Sequence, residues 1–166
     1  MRIDDVYAAD SLLAVFGANI KKARERKSLT KSVLATLADY DRGSLSKLEN
    51  GEMNIELSTA VRLAKTLGVS FPALFSKNFM EEVPDSEIDF SGKYQDDDYL
   101  LVFREKFLKQ LKKYTMRQVC VTDVSGLNEQ MVSRLVNGDI KNPTLKTLYA
   151  LAYAVNSEMH YLFSRT

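Results

Sequence analysis

The chain has 166 residues, which is the length of one ordinary domain or of two small ones. It is 45% hydrophobic and 27% charged, with a mean hydropathy of −0.22, a composition typical of a globular protein rather than a disordered or fibrous one. It has no apolar run long enough to span a membrane and no secretory leader pattern, so we expect a cytoplasmic protein. A single cysteine and a single histidine argue against disulfide scaffolds, zinc sites and Cys–His nucleophilic enzymes.

The formal net charge of +1 conceals an uneven distribution of charge along the chain. Residues 1–76 carry 11 basic and 9 acidic side chains, and residues 99–166 carry 10 basic and 5 acidic ones. Between them, residues 77–98 carry 2 basic and 8 acidic side chains. Two basic blocks joined by an acidic one indicate a chain that can bind a polyanion despite its neutral total.

An internal repeat divides the chain in two. Residues 45–51 read LSKLENG and residues 132–138 read VSRLVNG, an offset of 87 that becomes 88 after one extra residue in the second copy. The match extends over 12–76, which we call the N-terminal repeat, and 99–164, the C-terminal repeat. Each repeat is long enough to fold as a small domain.

The repeat predicts two domains, 11–76 and 99–164, joined by an acidic linker over 77–98. The linker breaks the apolar periodicity and contains a proline, a glycine and most of the excess acid. Its length is unusual for a connection inside a compact domain, which leaves two alternatives open. It is either flexible or packed on a neighbouring domain through its apolar residues.

Capping residues predict where the helices of the N-terminal repeat begin. Ser11, Thr30 and Asp41 are each followed by apolar residues at helical spacing, so each is expected to cap a helix. The third of these helices is predicted over 42–50. It ends at Gly51, because glycine tolerates the positive φ common after a helix C-terminus.

A fourth helix is predicted over 57–67, ending at Gly68, and a last turn over 70–75. The C-terminal repeat has comparable signals, with Pro143 expected at the start of its fourth helix. The signals there are Asp98, Gly126, Asn128, Gly138, Pro143 and Asn156. The predicted fold class is therefore all-α, with four to five helices in each repeat.

These residues resemble the Cro/cI-type helix-turn-helix domain, the XRE or lambda-repressor-like family. The resemblance covers the whole N-terminal repeat, and the C-terminal repeat is a diverged example in which Thr122 replaces the usual alanine. In the N-terminal repeat it is carried by Leu29-Thr30, Leu34-Ala35, Leu45–Gly51, Leu63-Ala64, Leu67–Ser70 and Leu74-Phe75. In the C-terminal repeat it is carried by Gln118, Gly126, Ser133, Asn137-Gly138 and Asn142–Leu145. The resemblance implies a transcriptional regulator that binds double-stranded DNA.

The resemblance also implies an ion pair between the first and third helices of the N-terminal repeat. The residues at the family's paired positions are Arg24 and Glu49. In the C-terminal repeat these positions hold Leu111 and Val136, so both charges are exchanged together. Such a joint exchange is expected where two positions touch, because losing only one partner strands a buried charge.

In this family the third helix lies in the DNA major groove, with its outward residues against base edges. Arginine and lysine suit guanine, glutamine suits adenine, and a carboxylate accepts from cytosine N4. The candidate base-contacting residues are Arg42, Gly43, Ser44, Ser46 and Lys47, then Asn128, Glu129, Gln130, Ser133 and Arg134. Phosphate contacts are expected before the second helix and after the third. The candidates are Thr30, Lys31, Asn50, Arg117, Gln118, Asn137 and Lys141.

Several alternatives compete with two DNA-reading domains. In one alternative, the C-terminal repeat is kept only for packing or dimerisation. Because the resembled family usually dimerises, two arrangements stay open: a homodimer with four reading heads, or a chain in which the covalent duplication replaces the dimer. In another alternative, the whole chain is an antitoxin-like interaction protein that binds a partner protein. In a further one, the acidic linker is a DNA mimic. Cys120 is expected in the core, on a face aligned with Val33, and His160 at the surface. No enzyme motif, metal-binding pattern or cofactor fingerprint is present in the sequence.

Overall fold

The computed structural model describes the backbone of residues 3–77, 98–113 and 129–164, with the side chains of 11–77, 98–113 and 130–164. Every regular element within these ranges is helical. The N-terminal repeat contains α1 (Ile3–Arg26), α2 (Lys31–Leu37), α3 (Arg42–Glu49), α4 (Leu57–Leu67) and a 3₁₀ turn (Pro72–Phe75). The C-terminal repeat contains α5 (Tyr99–Lys113), α6 (Glu129–Asn137), α7 (Leu145–Ala154) and α8 (Met159–Phe163). The all-α prediction is confirmed for these ranges.

Two of the predicted N-caps of the N-terminal repeat are confirmed. The Thr30 hydroxyl accepts a hydrogen bond from the Val33 amide at 3.2 Å, and the Asp41 carboxylate accepts one from the Ser44 amide at 2.8 Å. The third prediction is wrong, because Ser11 lies inside α1 and the helix begins at Ile3. The residues before Ser11 include neither proline nor glycine, so nothing in them interrupts the helix.

The fourth helices end as the sequence predicts, and α4 also begins at the predicted Leu57, but the start of α7 differs from the prediction. Gly68 follows α4 in the left-handed conformation, with φ of 67°, and Asn156 adopts a similar φ of 52° after α7. Pro143 is not the first residue of its helix, since Thr144 is the N-cap of α7. The Thr144 hydroxyl accepts from the Thr147 amide at 3.4 Å, which gives the helix a better start than proline alone.

The first helix of each repeat supplies large aromatic and aliphatic side chains to the interior. Phe16 and Ile20 of α1 are fully buried, as are Phe103 and Phe107 of α5. Burying each such side chain stabilises the fold by about 1.5–3 kcal/mol. The buried residues of the two repeats form one contiguous core.

One expectation about an apolar position is wrong. Val33 was expected to face inward but is 44% exposed on α2, because Leu34 and Ala35 are the residues that pack into the core there. Cys120, which aligns with Val33, lies outside the described residues. None of the described helices is long and apolar enough to cross a membrane.

Candidate nucleic-acid interface

The helices α2 and α3 pack against each other across a short turn. On α3, Leu45 and Leu48 are fully buried, which fixes the rotation of the helix about its axis. The opposite face therefore points away from the core. Asp39, in the turn, adopts a positive φ of 50°, a conformation that aspartate tolerates better than most residues.

The base-contacting candidates of the N-terminal repeat lie on this outward side of α3. Arg42, Gly43 and Lys47 are exposed, whereas Ser44 and Ser46 are half-buried. Two cations and one position without a side chain thus occupy the accessible part of the helix. The two serines lie nearer its edge, where they contact neighbouring groups.

The phosphate-contacting candidates of this repeat flank the same face. The Lys31 ammonium, at the start of α2, donates a hydrogen bond to the Ser46 hydroxyl at 3.3 Å. This bond brings one phosphate candidate and one base candidate together. Thr30 is exposed and serves as the N-cap of α2, and Asn50 is exposed just after α3.

An ion pair holds α3 to α1. Atom Nη2 of Arg24 lies 2.9 Å from Oε1 of Glu49, and Nε donates to Oε2 at 3.0 Å. Both residues are buried, and the hydrogen bond to Glu49 raises the pKa of the Arg24 guanidinium. The same guanidinium donates to the Leu29 carbonyl at 2.8 Å, so it also fixes the loop that enters α2.

Two ionisable groups at the start of α3 have shifted pKa values. The Ser44 amide donates to Asp41, which lowers the pKa of that carboxyl below its usual 3.8. A charged carboxylate at a helix N-terminus is also favoured by the helix dipole. Burial raises the pKa of the neighbouring Tyr40 hydroxyl.

In the C-terminal repeat, α6 has a comparable arrangement. Val132 and Leu135 are fully buried, and Gln130 and Arg134 are exposed on the other side. Ser133 is half-buried and accepts a hydrogen bond from the side-chain amide of Asn137 at 3.4 Å. Asn137 and Lys141 are themselves exposed. Glu129 begins α6, but its side chain lies outside the described residues, as do Asn128, Arg117 and Gln118 entirely.

An arginine that the sequence analysis did not single out holds α6 in place. Arg104 of α5 donates through Nη2 to the Val136 carbonyl at 2.6 Å and through Nε to the Leu135 carbonyl at 3.2 Å. These carbonyls belong to the last turn of α6, where the helix leaves acceptors unpaired. The counterpart of Arg104 in the N-terminal repeat is Gly17, so the exchange of glycine for arginine is the signal that could have found it.

A second missed arginine supports α2. Arg62 of α4 donates through Nε to the Ala38 carbonyl at 2.7 Å, at the C-terminal end of α2. A cation near the last carbonyls of a helix is favoured by the helix dipole. Its counterpart in the C-terminal repeat is Ala150, and no local sequence pattern predicts this contact.

The described residues contain no cluster of histidine, cysteine, aspartate and glutamate that could hold a metal ion. What the arrangement offers instead is an outward helix face bearing exposed cations, with further polar and basic groups beside it. Such a surface suits hydrogen bonding to base edges and phosphates.

Comparisons with known proteins give a family model that lies within the N-terminal repeat, and two relatives. A family model described as Helix-turn-helix matches residues 20–74. Control protein C.MunI of Mycoplasma sp is 36% identical over 62 residues, which cover 37% of this chain and 84% of that protein. The HTH-type transcriptional repressor RghR of Bacillus subtilis (strain 168) is 29% identical over 80 residues, which cover 47% of this chain and 59% of the repressor. No solved structure matches the chain.

Proposed function

The chain belongs to the helix-turn-helix family of DNA-binding transcription regulators and is not an enzyme, and on that premise we propose that it is a repressor that reads its operator through two different recognition helices, α3 and α6. The proposed domains are 11–76 and 99–164, both of the XRE type and joined by the acidic segment 77–98. The proposed partner is double-stranded operator DNA, bound in the cytoplasm.

The observation that carries this proposal is the outward face of α3. The buried leucines of α3 fix its rotation, and this presents Arg42 and Lys47 to solvent on one side. In a helix-turn-helix protein the second helix of the motif enters the major groove. Either cation can donate to O6 and N7 of guanine there. Gly43 lies between them and allows the helix backbone to approach the DNA closely.

The proposal for α6 rests on the same geometry with different chemistry. Gln130 suits adenine N6 and N7, and Arg134 suits guanine O6 and N7. Glu129, the first residue of α6, and Asn128, which precedes it in the sequence, can read further bases, with Glu129 accepting from cytosine N4. Because α3 and α6 carry different side chains, we expect two unlike half-sites.

Phosphate contacts position the two helices and add salt-dependent affinity. We assign them to groups before and after the recognition helices, where the chain carries amides, hydroxyls and cations. These residues are Thr30, Lys31 and Asn50 in the N-terminal domain and Arg117, Gln118, Asn137 and Lys141 in the C-terminal domain. Neutralising phosphates with Lys and Arg makes the binding weaken as salt concentration rises.

The sign of regulation is repression. A protein bound to an operator that overlaps a promoter excludes the polymerase, and this needs no further contact. The similarity to a protein named as a transcriptional repressor supports the same sign.

Selection of binding sites from random duplex DNA tests the proposal. The full chain is compared with Arg42→Ala/Lys47→Ala and with Gln130→Ala/Arg134→Ala, and Lys21→Ala/Lys22→Ala is the matched control on the exposed side of α1. We expect a two-part site, with one part degraded by each reading variant and neither by the control. Each lost bidentate contact relaxes discrimination at its base by about 1–3 kcal/mol.

The possible failures are distinct. A motif sensitive only to the α3 variant leaves the C-terminal repeat without a reading role. No enrichment at moderate salt, where nonspecific phosphate binding is weak, overturns the regulator and favours the antitoxin-like partner-binding protein.

A further inference from the structure

Two backbone hydrogen bonds join the repeats. Exchanging each residue for its counterpart in the other repeat converts one bond into the other. The Leu57 amide donates to the Pro143 carbonyl at 2.8 Å, and the Leu145 amide donates to the Ile55 carbonyl at 2.9 Å. The offset of 88 maps Leu57 onto Leu145 and Ile55 onto Pro143, so each bond is the image of the other. Glu56 and Thr144, also related by 88, face each other as an antiparallel pair between them.

Two asparagines extend this reciprocity to side chains. Asn142 accepts from the Ser58 amide at 3.0 Å, and Asn54 accepts from the Lys146 amide at 3.1 Å. Both the acceptors and the donors are related by the offset of 88. Each asparagine therefore caps the first turn of the other repeat's fourth helix. In α4 this cap replaces a local one, because the N-cap residue Glu56 makes no side-chain cap bond.

The aromatic core has the same symmetry. Phe75 and Phe163, again 88 apart, stack with ring centroids 5.7 Å apart. Phe16 stacks on Phe75 at 5.3 Å, and its counterpart Phe103 packs on Phe163 at 5.1 Å. The four rings form a row in the order Phe16, Phe75, Phe163 and Phe103, and this order is preserved when the two repeats are exchanged. Aromatic pairs at such distances add about 0.5–1.5 kcal/mol each beyond burial.

These contacts have the form of an isologous dimer interface, in which residue i of one partner contacts residue j of the other and j contacts i. The Glu56–Thr144 pair and the Phe75–Phe163 pair each consist of a residue and its own counterpart. A self-related pair lies on the twofold axis of an isologous interface, so these two pairs define one local axis. Here both partners belong to one chain.

We propose that a single chain is the complete DNA-reading unit, an internal pseudo-dimer that binds two unlike half-sites in inverted orientation. The DNA part of this proposal rests on the proposed function. A twofold axis between the repeats relates α6 to α3 by a half turn. The half-sites that they bind are therefore related as in a palindrome and not as in a direct repeat. The rings at the axis are buried within the chain, which leaves no free copy of this face for a homodimer.

A disulfide across the axis tests the internal pairing in the full chain. Glu56 and Thr144 face each other as a pair without mutual backbone hydrogen bonds, the closer type of antiparallel pair, with Cα atoms about 4.5 Å apart. That separation lies within disulfide range. The variant is Glu56→Cys/Thr144→Cys with Cys120→Ser, and each single cysteine variant is the control, since it can only link two chains.

We expect the double variant to form a disulfide within one chain, seen as a monomer of 18.8 kDa that migrates faster on a nonreducing gel. A covalent dimer from the double variant overturns the proposal, because it shows that the halves pair between chains. A double variant that stays reduced under oxidising conditions overturns the pairing itself.

The second experiment measures stoichiometry and orientation on duplexes that carry the two selected half-sites. Sedimentation should show one chain per duplex, with the inverted arrangement bound at least about tenfold more tightly than the direct one. Two chains per duplex, or a preference for the direct arrangement, overturns the proposal. If the intrachain disulfide forms but no duplex is bound specifically, the proposed function fails while the internal pairing stands.

Discussion

Helices α3 and α6 are anchored to the first helix of their repeats in opposite ways. In the N-terminal repeat the contact is a close approach of backbones, since a Cβ at Gly17 would overlap the Leu48 carbonyl oxygen. The buried Arg24–Glu49 pair lies beside this approach. In the C-terminal repeat Arg104 stands between the helices and binds the last carbonyls of α6.

The comparison teaches that one helix placement is compatible with two anchoring chemistries, provided each is complete. In the N-terminal repeat both charges of the pair are present and the arginine side chain is absent at Gly17. In the C-terminal repeat, Leu111 and Val136 are apolar and pack partly buried against the core. Replacing one residue of the N-terminal ion pair by its C-terminal counterpart should therefore lower the stability of the fold more than replacing both residues together.

The largest loss of stability is expected for Arg24→Leu, which introduces the C-terminal residue type at only one of the two paired positions. It leaves Glu49 buried without its partner, which costs about 3–5 kcal/mol of unfolding free energy. Adding Glu49→Val completes the exchange, and the double variant should lose only about 1 kcal/mol, from the missing bond to the Leu29 carbonyl. Urea unfolding measures the unfolding free energy of both variants. Equal losses in the single and double variants would show that the pair is not coupled.

A smaller loss is expected for Gly17→Ala, which tests the close approach in the N-terminal repeat. The added methyl group meets backbone and not a flexible side chain, so α3 must shift, at a cost of about 3 kcal/mol. Gly43→Ala is the control, because its Cβ would meet only the side chain of Asp41, at 3.2 Å. Thermal unfolding should separate the two variants, and similar melting temperatures would contradict the close approach.

Arg104→Ala probes the anchor of the C-terminal repeat. It leaves the last carbonyls of α6 without their donor, and we expect a loss of about 1.5 kcal/mol. Lys109→Ala, at an exposed position on the same helix, should be neutral. Urea unfolding of the two variants is the measurement. If both lose the same stability, Arg104 does not anchor α6.

The smallest effect concerns the cap of α3, where the repeats differ as Asp41 and Asn128. The pKa of Asp41 is lowered on folding, so its carboxylate stabilises the fold above its unfolded pKa, near 3.8. This stabilisation is lost as pH falls through the lower, folded pKa. Asp41→Asn caps equally well at neutral pH but does not titrate. The melting temperature of the parent chain should therefore fall relative to that of the variant below about pH 4. Parallel curves of melting temperature against pH would contradict this prediction.

Local signals in the sequence predict most helix ends correctly. Thr30, Asp41 and Gly68 act within one helical turn, so their effect does not depend on the rest of the fold. The prediction fails at Ser11, because a cap residue is also tolerated inside a helix that has favourable residues on both sides. The face of α3 that bears Arg42 and Lys47 is predictable from the spacing of its two leucines alone.

The sequence by itself determined the helical class, the repeat and the outward residues of α3, because periodicity and capping are local properties of the chain. Only the tertiary structure decided how the repeats meet and what anchors α3 and α6. The partners of Arg104 lie about thirty residues away, and those of Asn54 and Asn142 lie more than eighty away. Such bonds depend on where the chain returns in space, and no local propensity contains that information.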